Sequence, residues 1–365
     1  MVSKLQNNRL LITLTVTAFI LAIWLHRSPG QCLALVDWKT IVTLSGLLII
    51  TTGIKESGFF NWLAHKILKR LHNERTLALS LIFTSFLLSM FLTNDIALFI
   101  TIPLTLSFQS LANNDYSKLI IFEALAVNSG SSLTPIGNPQ NIFLWHQWGI
   151  GFLAFVFQML PLMAVFIPIL ILYTIFFFPN RLITISNQQA PLVQRFLFIA
   201  SAFWLIVFVG AIEFRIYFYF LPVIVLFYLW LNRTVVFKAD WRLIALFLLL
   251  FVNIRLLFFF KDGFPFLKHQ TFTCDSSLLL SAAFLSQLIS NVPATIFLTH
   301  LTTNYKILAY GVNIGGNGLF IASFANVIAL GFIKKRNKYR RFHLYSISYF
   351  VVTFILLWAV FKVFI

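Results

Sequence analysis

Four short clusters of polar residues interrupt the apolar segments of this sequence. They are Thr93-Asn94-Asp95, residues 128–141, Ser290-Asn291 and residues 313–318. An ion that leaves water needs oxygen atoms to replace its hydration shell. Asn side chains, Ser and Thr hydroxyls and unwound backbone carbonyls supply such oxygens without a fixed charge. Glycine and proline within the clusters favour unwound backbone, so the clusters predict an ion-binding site.

Two candidate residues, Asp95 of the first cluster and Glu123, have side chains that can ionise. Both lie in or beside apolar runs, and an ionisable group inside a membrane is costly and usually functional. We predict that both couple transport to a proton, Asp95 at the ion site and Glu123 along the path. Simpler interpretations are a helix N-cap for Asp95 and a basic partner for Glu123. The other residues predicted from their type to contact the ion are Ser129, Gly130, Thr134, Asn138, Gly315 and Asn317.

The elements that must position these residues are membrane-spanning helices. Of the 365 residues, 60% are hydrophobic and 44 are Phe, whereas only 27 are basic and 10 acidic. A soluble protein could not bury so much apolar surface and still cover itself with polar groups. The composition excludes a soluble enzyme, a nucleic-acid binder and a disordered protein, and it predicts an all-α polytopic membrane protein. Lys and Arg gathered in cytoplasmic loops explain the net charge of +17.

Metal and cofactor chemistry is not expected from this sequence. It has two cysteines, Cys32 and Cys274, and seven His without the spacing of metal ligands. It also lacks a phosphate-binding motif of the Gly-x-x-x-x-Gly-Lys-Ser/Thr type. We therefore expect no cofactor, and sodium or a proton as the coupling ion.

Charged and amphipathic segments at the ends of the apolar runs indicate how the chain enters the membrane. Residues 10–25 predict an anchor helix rather than a signal peptide, because no small-residue cleavage site follows. Residues 61–71 predict an interfacial amphipathic helix. Glu213 and Arg215, between two closely spaced spans, predict an interfacial ion pair rather than a site.

The interrupted apolar runs predict two re-entrant hairpins, at 76–108 and 276–300, and two broken helices, at 118–147 and 306–333. Unwound backbone is tolerated at membrane depth only where it is buried in protein or lines a wet cavity. With nine full crossings, this topology puts 19 of the 27 Lys and Arg residues on the cytoplasmic side, together with the N-terminus.

An internal repeat relates the two halves of the chain. Residues 88–97 align with 285–294 at an offset of 197, and residues 127–141 align with 312–326 at an offset of 185. Five of the fifteen columns in the second alignment are identical. The topology gives the halves opposite orientations, which predicts an inverted-repeat, elevator-type secondary transporter with discontinuous helices near the membrane midplane. The predicted units are an N-terminal repeat at 1–178, a linker with one span at 179–215 and a C-terminal inverted repeat at 216–365.

These motifs resemble those of the ion transporter superfamily, which includes citrate-transporter-like proteins, divalent anion/sodium symporters, arsenite permeases and one family of sodium/proton antiporters. The resemblance spans about residues 35–365 and rests on Thr93-Asn94-Asp95, residues 128–141 and Ser290-Asn291-Val292-Pro293. It implies a scaffold domain, a moving transport domain with elevator-like alternating access, and often a homodimer. By resemblance, contact with sodium or substrate is assigned to Thr93, Asn94, Asn128, Ser290, Asn291 and Asn313.

The two hairpin tips depart from the Ser-Asn-Thr motif of the superfamily's sodium symporters. The third position is Asp95 in one tip and Val292 in the other. A carboxylate beside the substrate would repel a dicarboxylate, so substrates such as succinate or citrate are in doubt. An Asp at this position is more similar to the arsenite permease and sodium/proton antiporter branches.

The sequence thus predicts a secondary active transporter of a small ion, not an enzyme, in the plasma (inner) membrane. Cation/proton antiport and the carriage of an anion, such as a carboxylate or arsenite, stay open as alternatives. An ion channel and an intramembrane enzyme are more remote, the latter because no nucleophile–base pair is evident. The expected partners are the lipid bilayer, a small inorganic or organic ion and, by resemblance, a second copy of the chain. No nucleic acid is expected.

Overall fold

The computed structural model describes residues 2–68, 73–112, 116–182, 192–259, 272 and 274–364. Within these ranges the regular elements are helices, together with one isolated β-bridge between Asn73 and Leu182. The α-helices are α1 (Val2–Trp24), α2 (Pro29–Ala34), α3 (Trp38–Glu56), α4 (Phe59–Leu68), α5 (Glu74–Phe91), α6 (Asn94–Ala112), α7 (Ser117–Gly130), α8 (Pro139–Trp148), α9 (Phe152–Phe177), α10 (Arg195–Glu213), α11 (Tyr217–Lys238), α12 (Trp241–Phe258), α13 (Asp275–Ile289), α14 (Asn291–Leu298), α15 (Tyr305–Gly315), α16 (Phe324–Phe332) and α17 (Lys338–Phe364). The all-α prediction is confirmed.

Six helices within the described ranges are long and apolar enough to cross a membrane. They are α5, α9, α10, α11, α12 and α17. Four of the nine predicted crossings are not among them, because the two broken helices consist of short pieces, the apolar part of α1 spans only Leu11–Trp24 and α3 is less apolar. Conversely, α5 reaches spanning length with 18 residues, although the sequence predicts it as one arm of a hairpin. The chain is a polytopic membrane protein, and the re-entrant insertion of its hairpins stays a prediction.

The two halves of the repeat pack their helices in the same way. The pair α5 and α6 packs along α7, and the pair α13 and α14 packs along α15. Glycine permits the close approach in both halves. A Cβ on Gly130 would lie 2.2 Å from the Phe86 carbonyl oxygen, and a Cβ on Gly315 would lie 2.7 Å from the Ala283 carbonyl oxygen. Phe86 and Ala283 are separated by the repeat offset, so the two contacts are equivalent.

A second group of helices surrounds α3, which packs against α10, α11 and α8. The side chains of α3 are mostly buried from Thr40 to Ile54. Its Gly46 faces the ring of Phe208, where a Cβ would lie 2.3 Å from a ring carbon. This group reaches the hairpin arm α6 through Lys55, whose Nζ lies 4.7 Å from the centroid of the Phe99 ring.

Polar contacts join the helix ends. The C-terminal ends of α3 and α11 are joined by an ion pair between Glu56 and Lys238. Near the N-terminal end of α3, the Gln147 side-chain amide donates to Asp37 Oδ2 at 3.0 Å. The predicted amphipathic helix corresponds to α4, and its residues 69–71 lie outside the described ranges. The three predicted units and the side that faces the cytoplasm stay predictions.

Candidate functional site

A short loop interrupts each broken helix. The first loop, residues 131–138, separates α7 from α8, and the second loop, residues 316–323, separates α15 from α16. Asn138 caps α8, because its Oδ1 accepts the Asn141 backbone N–H at 2.9 Å. Pro139 occupies the first position of α8, where a missing N–H is tolerated. The local sequence thus accounts for the point at which the helix resumes.

Four asparagine side chains join the two broken helices, and we call them the asparagine network. Asn128 Nδ2 donates to Asn326 Oδ1 at 2.8 Å. Asn313 Nδ2 donates to Asn141 Oδ1, also at 2.8 Å. The offset of 185 residues converts the first bond into the second with donor and acceptor in the same roles. The repeat therefore extends from the sequence to individual hydrogen bonds.

A second equivalent pair of bonds reinforces this network. Asn138 Nδ2 donates to Asn313 Oδ1 at 3.0 Å, and Ser323 Oγ donates to Asn128 Oδ1 at 2.9 Å. The sequence predicts that Asn128, Asn138 and Asn313 contact the ion, but their side-chain amides are hydrogen-bonded to protein atoms. These side chains hold the two broken helices together, and their contact with an ion stays a prediction.

The asparagine network also satisfies the unwound backbone. Asn141 Nδ2 donates to the Thr134 carbonyl at 3.1 Å, and Asn326 Nδ2 donates to the Leu319 carbonyl at 3.3 Å. Thr134 and Leu319 are again equivalent by the repeat offset. A buried carbonyl without a partner is costly, so these amides explain how loop backbone can persist inside the protein.

Each hairpin tip is attached to the loop of its own half. The Asn94 backbone N–H donates to the Gly137 carbonyl at 3.0 Å. In the other half, Ser290 Oγ donates to the Ala322 carbonyl at 3.4 Å. Ser290 has a φ of 76°, a conformation that residues other than glycine rarely adopt. The predicted residue Asn291 approaches the second loop, since its Nδ2 lies 3.1 Å from the Cβ position of Gly316.

Three predicted residues keep buried polar atoms without a partner among the described residues. These atoms are Thr93 Oγ1, Asp95 Oδ1 and both polar side-chain atoms of Asn317. Asp95 is 6% exposed and Asn317 is 0% exposed. A buried polar atom left unpaired costs about 1–3 kcal/mol, so a native protein normally supplies a partner, water or ligand. The simpler interpretation of Asp95 as an N-cap gains no support from Oδ1, which caps no helix.

The remaining predicted residues have contacts of other kinds. Ser129 Oγ lies 3.0 Å from the Tyr349 hydroxyl of α17. The Thr134 hydroxyl donates to the Met90 carbonyl and so links the first loop to α5. Gly130 and Gly315 are the close-approach glycines of the two repeats. An ion contact at these four positions stays a prediction.

Glu123 is fully buried on α7. The Thr105 hydroxyl of α6 donates to its Oε1 at 2.7 Å, whereas Oε2 has no partner among the described residues. Thr101, one helical turn before Thr105, also has a buried hydroxyl without such a partner. The alternative of a basic partner is not seen, since the described residues give Glu123 no ion pair. Among them, no three His, Cys, Asp or Glu side chains form a group that could hold a metal ion.

Sequence analysis missed several residues that build the site. Asn141, Ser323 and Asn326 belong to the aligned columns of the repeat, so their positions were available as a signal. Gln287 was less visible, because its repeat equivalent is Met90. Its side chain donates to the Gly315 carbonyl and accepts the Leu319 backbone N–H, which ties α13 to the second loop.

Sequence comparison places this architecture in a family. The family described as citrate transporter matches residues 3–306, a span that includes both hairpins and the first broken helix. The chain belongs to the citrate transporter family. Its activity class is therefore membrane transport and not enzymatic catalysis. The predicted resemblance to the ion transporter superfamily is confirmed.

Two relatives of this citrate transporter family member cover nearly the whole chain, and another covers 37% of it. The inner membrane protein YbiR from Escherichia coli (strain K12) is 39% identical over 97% of this chain and 94% of its own length. The uncharacterized transporter MJ0456 from Methanocaldococcus jannaschii is 36% identical over 92% of this chain and 93% of its own length. The silicon efflux transporter LSI3 from Oryza sativa subsp. japonica is 27% identical over 37% of this chain and 28% of its own length.

Proposed function

We propose that this citrate transporter family member is a secondary active transporter of a small ion, coupled to a proton or sodium gradient by alternating access. The observation that carries the proposal is one continuous polar assembly. It runs from the first hairpin tip through both loops to the second tip, and Thr93, Asp95 and Asn317 add buried polar atoms that have no partner in the described part of the chain. The asparagine network is the frame of this site. Thr93, Asp95 and Asn317, whose side chains can still accept or donate hydrogen bonds, are its ion contacts.

The coupling chemistry of the proposal rests on two carboxyl groups. Asp95 lies at the first tip and holds either a proton or a cation, so the arrival of one releases the other. Glu123 binds a proton on α7, where Thr105 already occupies one of its oxygens. This arrangement supports cation/proton exchange, because no described cation forms an ion pair with either carboxylate.

An anion carrier is the second candidate, and it has its own supporting observation. Four helices begin at the site, namely α6 and α14 at the tips and α8 and α16 after the loops. Helix N-termini present free backbone N–H groups and the positive end of the helix dipole. The family description supports a carboxylate, and the Asp at the tip favours a weakly charged oxyanion such as arsenite over a dicarboxylate.

The decisive experiment follows the decay of an imposed pH gradient in everted membrane vesicles. Sodium, lithium, arsenite and small carboxylates are added one at a time to vesicles with the parent chain, Asp95→Asn or Asp275→Asn. Asp275 is the matched control, because this carboxylate bonds to Asn304 outside the site. A response to sodium or lithium that needs Asp95 and not Asp275 supports cation/proton exchange. A response to one anion alone supports the second candidate, and no response to any ion contradicts proton coupling in both.

Elevator-like movement is the proposed form of alternating access, with the group around α3 as the scaffold. The contact between Lys55 and Phe99 joins this scaffold to the hairpin arm α6. Cysteines at these two positions, in a chain with Cys32 and Cys274 replaced by Ser, should stop transport when a thiol-specific cross-linker with a reducible spacer joins them, until a reductant is added. Full transport by the cross-linked chain would contradict movement between α3 and α6.

We further propose an inner-membrane location with a cytoplasmic N-terminus, and assembly as a homodimer. The name of the relative YbiR supports the location, and the distribution of Lys and Arg supports the orientation. Nine crossings put the C-terminus outside the cytoplasm. A phosphatase fused to the C-terminus should be active and a fused fluorescent protein dark, and the reverse would overturn the topology. Mass measurement in nanodiscs distinguishes one copy from two.

A further inference from the structure

A polar cavity of about 350 Å³ lies apart from the hairpin tips. It is formed where α3 begins, α8 meets α9 and α10 meets α11. A cavity of this size is within the range of small-molecule sites. The lining residues used below are Lys39, Trp145, His146, Glu213, Arg215 and Tyr217.

The acidic groups around this cavity are engaged elsewhere. Glu213 Oε2 accepts the Phe152 backbone N–H at 2.8 Å, at the first turn of α9. Asp37 accepts the Thr40 backbone N–H at 3.0 Å and also bonds to Gln147. Both carboxylates therefore bond to neutral amides and not to the cations that line the cavity.

The two cations have no ion pair among the described residues. Lys39 and Arg215 both line the cavity, and neither lies within 4.0 Å of a described carboxylate. The predicted ion pair between Glu213 and Arg215 is thus wrong, because Glu213 bonds to the start of α9 instead. Two positive charges consequently face one cavity without compensation by a direct partner.

The backbone and the neighbouring rings give the cavity a defined shape. Arg215 has a φ of 60°, a strained conformation for a residue other than glycine. The His146 ring is fixed by a contact of 2.9 Å between its Nε2 and Thr43 Oγ1. Trp145 and Tyr217 complete a wall of aromatic side chains, the kind that is enriched at the level of lipid headgroups.

The topology adds an independent reason to single out this pair of cations. The predicted orientation leaves 8 of the 27 Lys and Arg residues off the cytoplasmic side. Lys39 and Arg215 belong to this minority and nevertheless meet in one cavity. A topological role does not explain basic residues on this side of the membrane.

We propose that this cavity binds the phosphate group of an anionic ligand, held between the Lys39 ammonium and the Arg215 guanidinium. Charge-assisted bonds to phosphate are strong, and the planar guanidinium matches two phosphate oxygens. The same chemistry fits a free phosphate ion and the headgroup of an anionic phospholipid. The cavity is separate from the proposed transport site. A result against phosphate binding would therefore leave the proposed transport mechanism unaffected, and the reverse also holds.

The test measures ligand binding to the full purified chain in a neutral detergent by native mass spectrometry. Inorganic phosphate, phosphatidylglycerol and phosphatidylcholine are titrated separately. The double variant Lys39→Gln/Arg215→Gln removes both cations. The matched control Lys306→Gln/Arg255→Gln removes two positive charges assigned to the same side but outside the cavity. Loss of a charged hydrogen-bond donor weakens binding about tenfold or more, so the first variant should lose roughly 100-fold and the control less than about twofold.

A third variant guards against misfolding of the double variant. Glu213→Gln retains an oxygen that can accept the Phe152 N–H and removes a negative charge from the cavity wall, so phosphate binding should tighten. Phosphatidylglycerol binding with the expected losses assigns the site to lipid, and binding of inorganic phosphate assigns it to the free ion. Equal weakening in both double variants overturns the proposal, and so does equal binding of phosphatidylglycerol and phosphatidylcholine without phosphate binding.

Discussion

The two halves of the proposed transport site share a frame but differ in chemistry. Equivalent asparagine bonds and equivalent close-approach glycines occur in both halves. Asp95 of the first tip, however, corresponds to Val292 in the second, and Glu123 on α7 corresponds to Leu308 on α15. Both carboxyl groups of the site therefore belong to the N-terminal half.

This comparison separates what holds the site from what acts in it. Both loops expose backbone groups that need partners inside the protein, and this shared need explains why Asn141 and Asn326 have the same role. On the proposed mechanism, in contrast, the ion needs only one ionisable group, and a second carboxylate at the facing tip would add repulsion. A repeat can thus be symmetric in its frame and one-sided in its chemistry.

The largest effect is expected from substitutions at the two hairpin tips, of which only the first carries a carboxylate. Asp95→Asn should reduce coupled flux to the level of vesicles without the protein, because the amide cannot exchange a proton. Val292→Ala at the equivalent position should leave flux within a few-fold of the parent. Flux is measured in everted vesicles, and size-exclusion profiles show whether each variant is folded. Loss of flux in the Val292 variant, or full flux from well-folded Asp95→Asn, would contradict the proposed difference in chemistry between the two tips.

The shared frame is tested next, at the close-approach glycines. Gly130→Ala and Gly315→Ala should both lower the melting temperature, because each new methyl group meets a backbone carbonyl oxygen at 2.2 Å and 2.7 Å, respectively. Overpacking costs about 1–3 kcal/mol, with the larger loss expected at Gly130. Thermal unfolding in detergent provides the measurement, and Gly210→Ala, whose new Cβ meets no atom of the described residues within 4 Å, is the control.

The asparagine network allows a finer test of symmetry. Double-mutant cycles to Ala on the pairs Asn128–Asn326 and Asn313–Asn141 should each give a coupling energy of about 0.5–3 kcal/mol. Because both bonds are buried and 2.8 Å long, the two values should agree within about 0.5 kcal/mol. Clearly unequal couplings, measured by thermal or denaturant unfolding, would show that the frame is symmetric in geometry only.

The smallest effect is expected at Glu123. Glu123→Gln keeps an oxygen that accepts the Thr105 hydroxyl, so stability should change by less than about 1 kcal/mol. If Asp95 and Glu123 both bind a proton, flux in the parent should depend on pH with a two-proton slope and in the variant with a one-proton slope. Leu308→Met, at the equivalent position, should keep the parent slope. An unchanged slope in Glu123→Gln would leave Asp95 as the coupling carboxylate.

The helical class and the interruptions of the helices could be predicted because they depend on local composition. Apolar runs set the spans, and Gly130, Pro139 and Gly315 lie where helices stop or start. The six residues assigned an ion contact by resemblance lie in segments that meet at the two loops, and their contact with an ion stays a prediction. The resemblance did not distinguish Asn128 and Asn313, whose side chains bond to protein, from Thr93, whose hydroxyl has no partner among the described residues.

The hydrogen-bond partner of a buried polar group could not be predicted from the sequence, since that partner lies far along the chain. Nearly 200 residues separate Asn128 from Asn326, and the type of a residue does not reveal such a partner. Glu213 illustrates the same difficulty: Arg215 is two positions away, yet its carboxylate bonds to Phe152. Gln287 had no signal, because the repeat aligns it with an apolar methionine.

The burial of the first hairpin tip has an electrical consequence. Thr93, Asn94 and Asp95 are 2%, 4% and 6% exposed, so protein atoms shield them from water. The membrane potential falls mainly across such dry layers, and a unit charge that crosses the whole drop exchanges about 2.3 kcal/mol per 100 mV. On the proposed mechanism, a charge bound at Asp95 would therefore sense voltage as well as concentration, and the occupancy of the tip would depend on both.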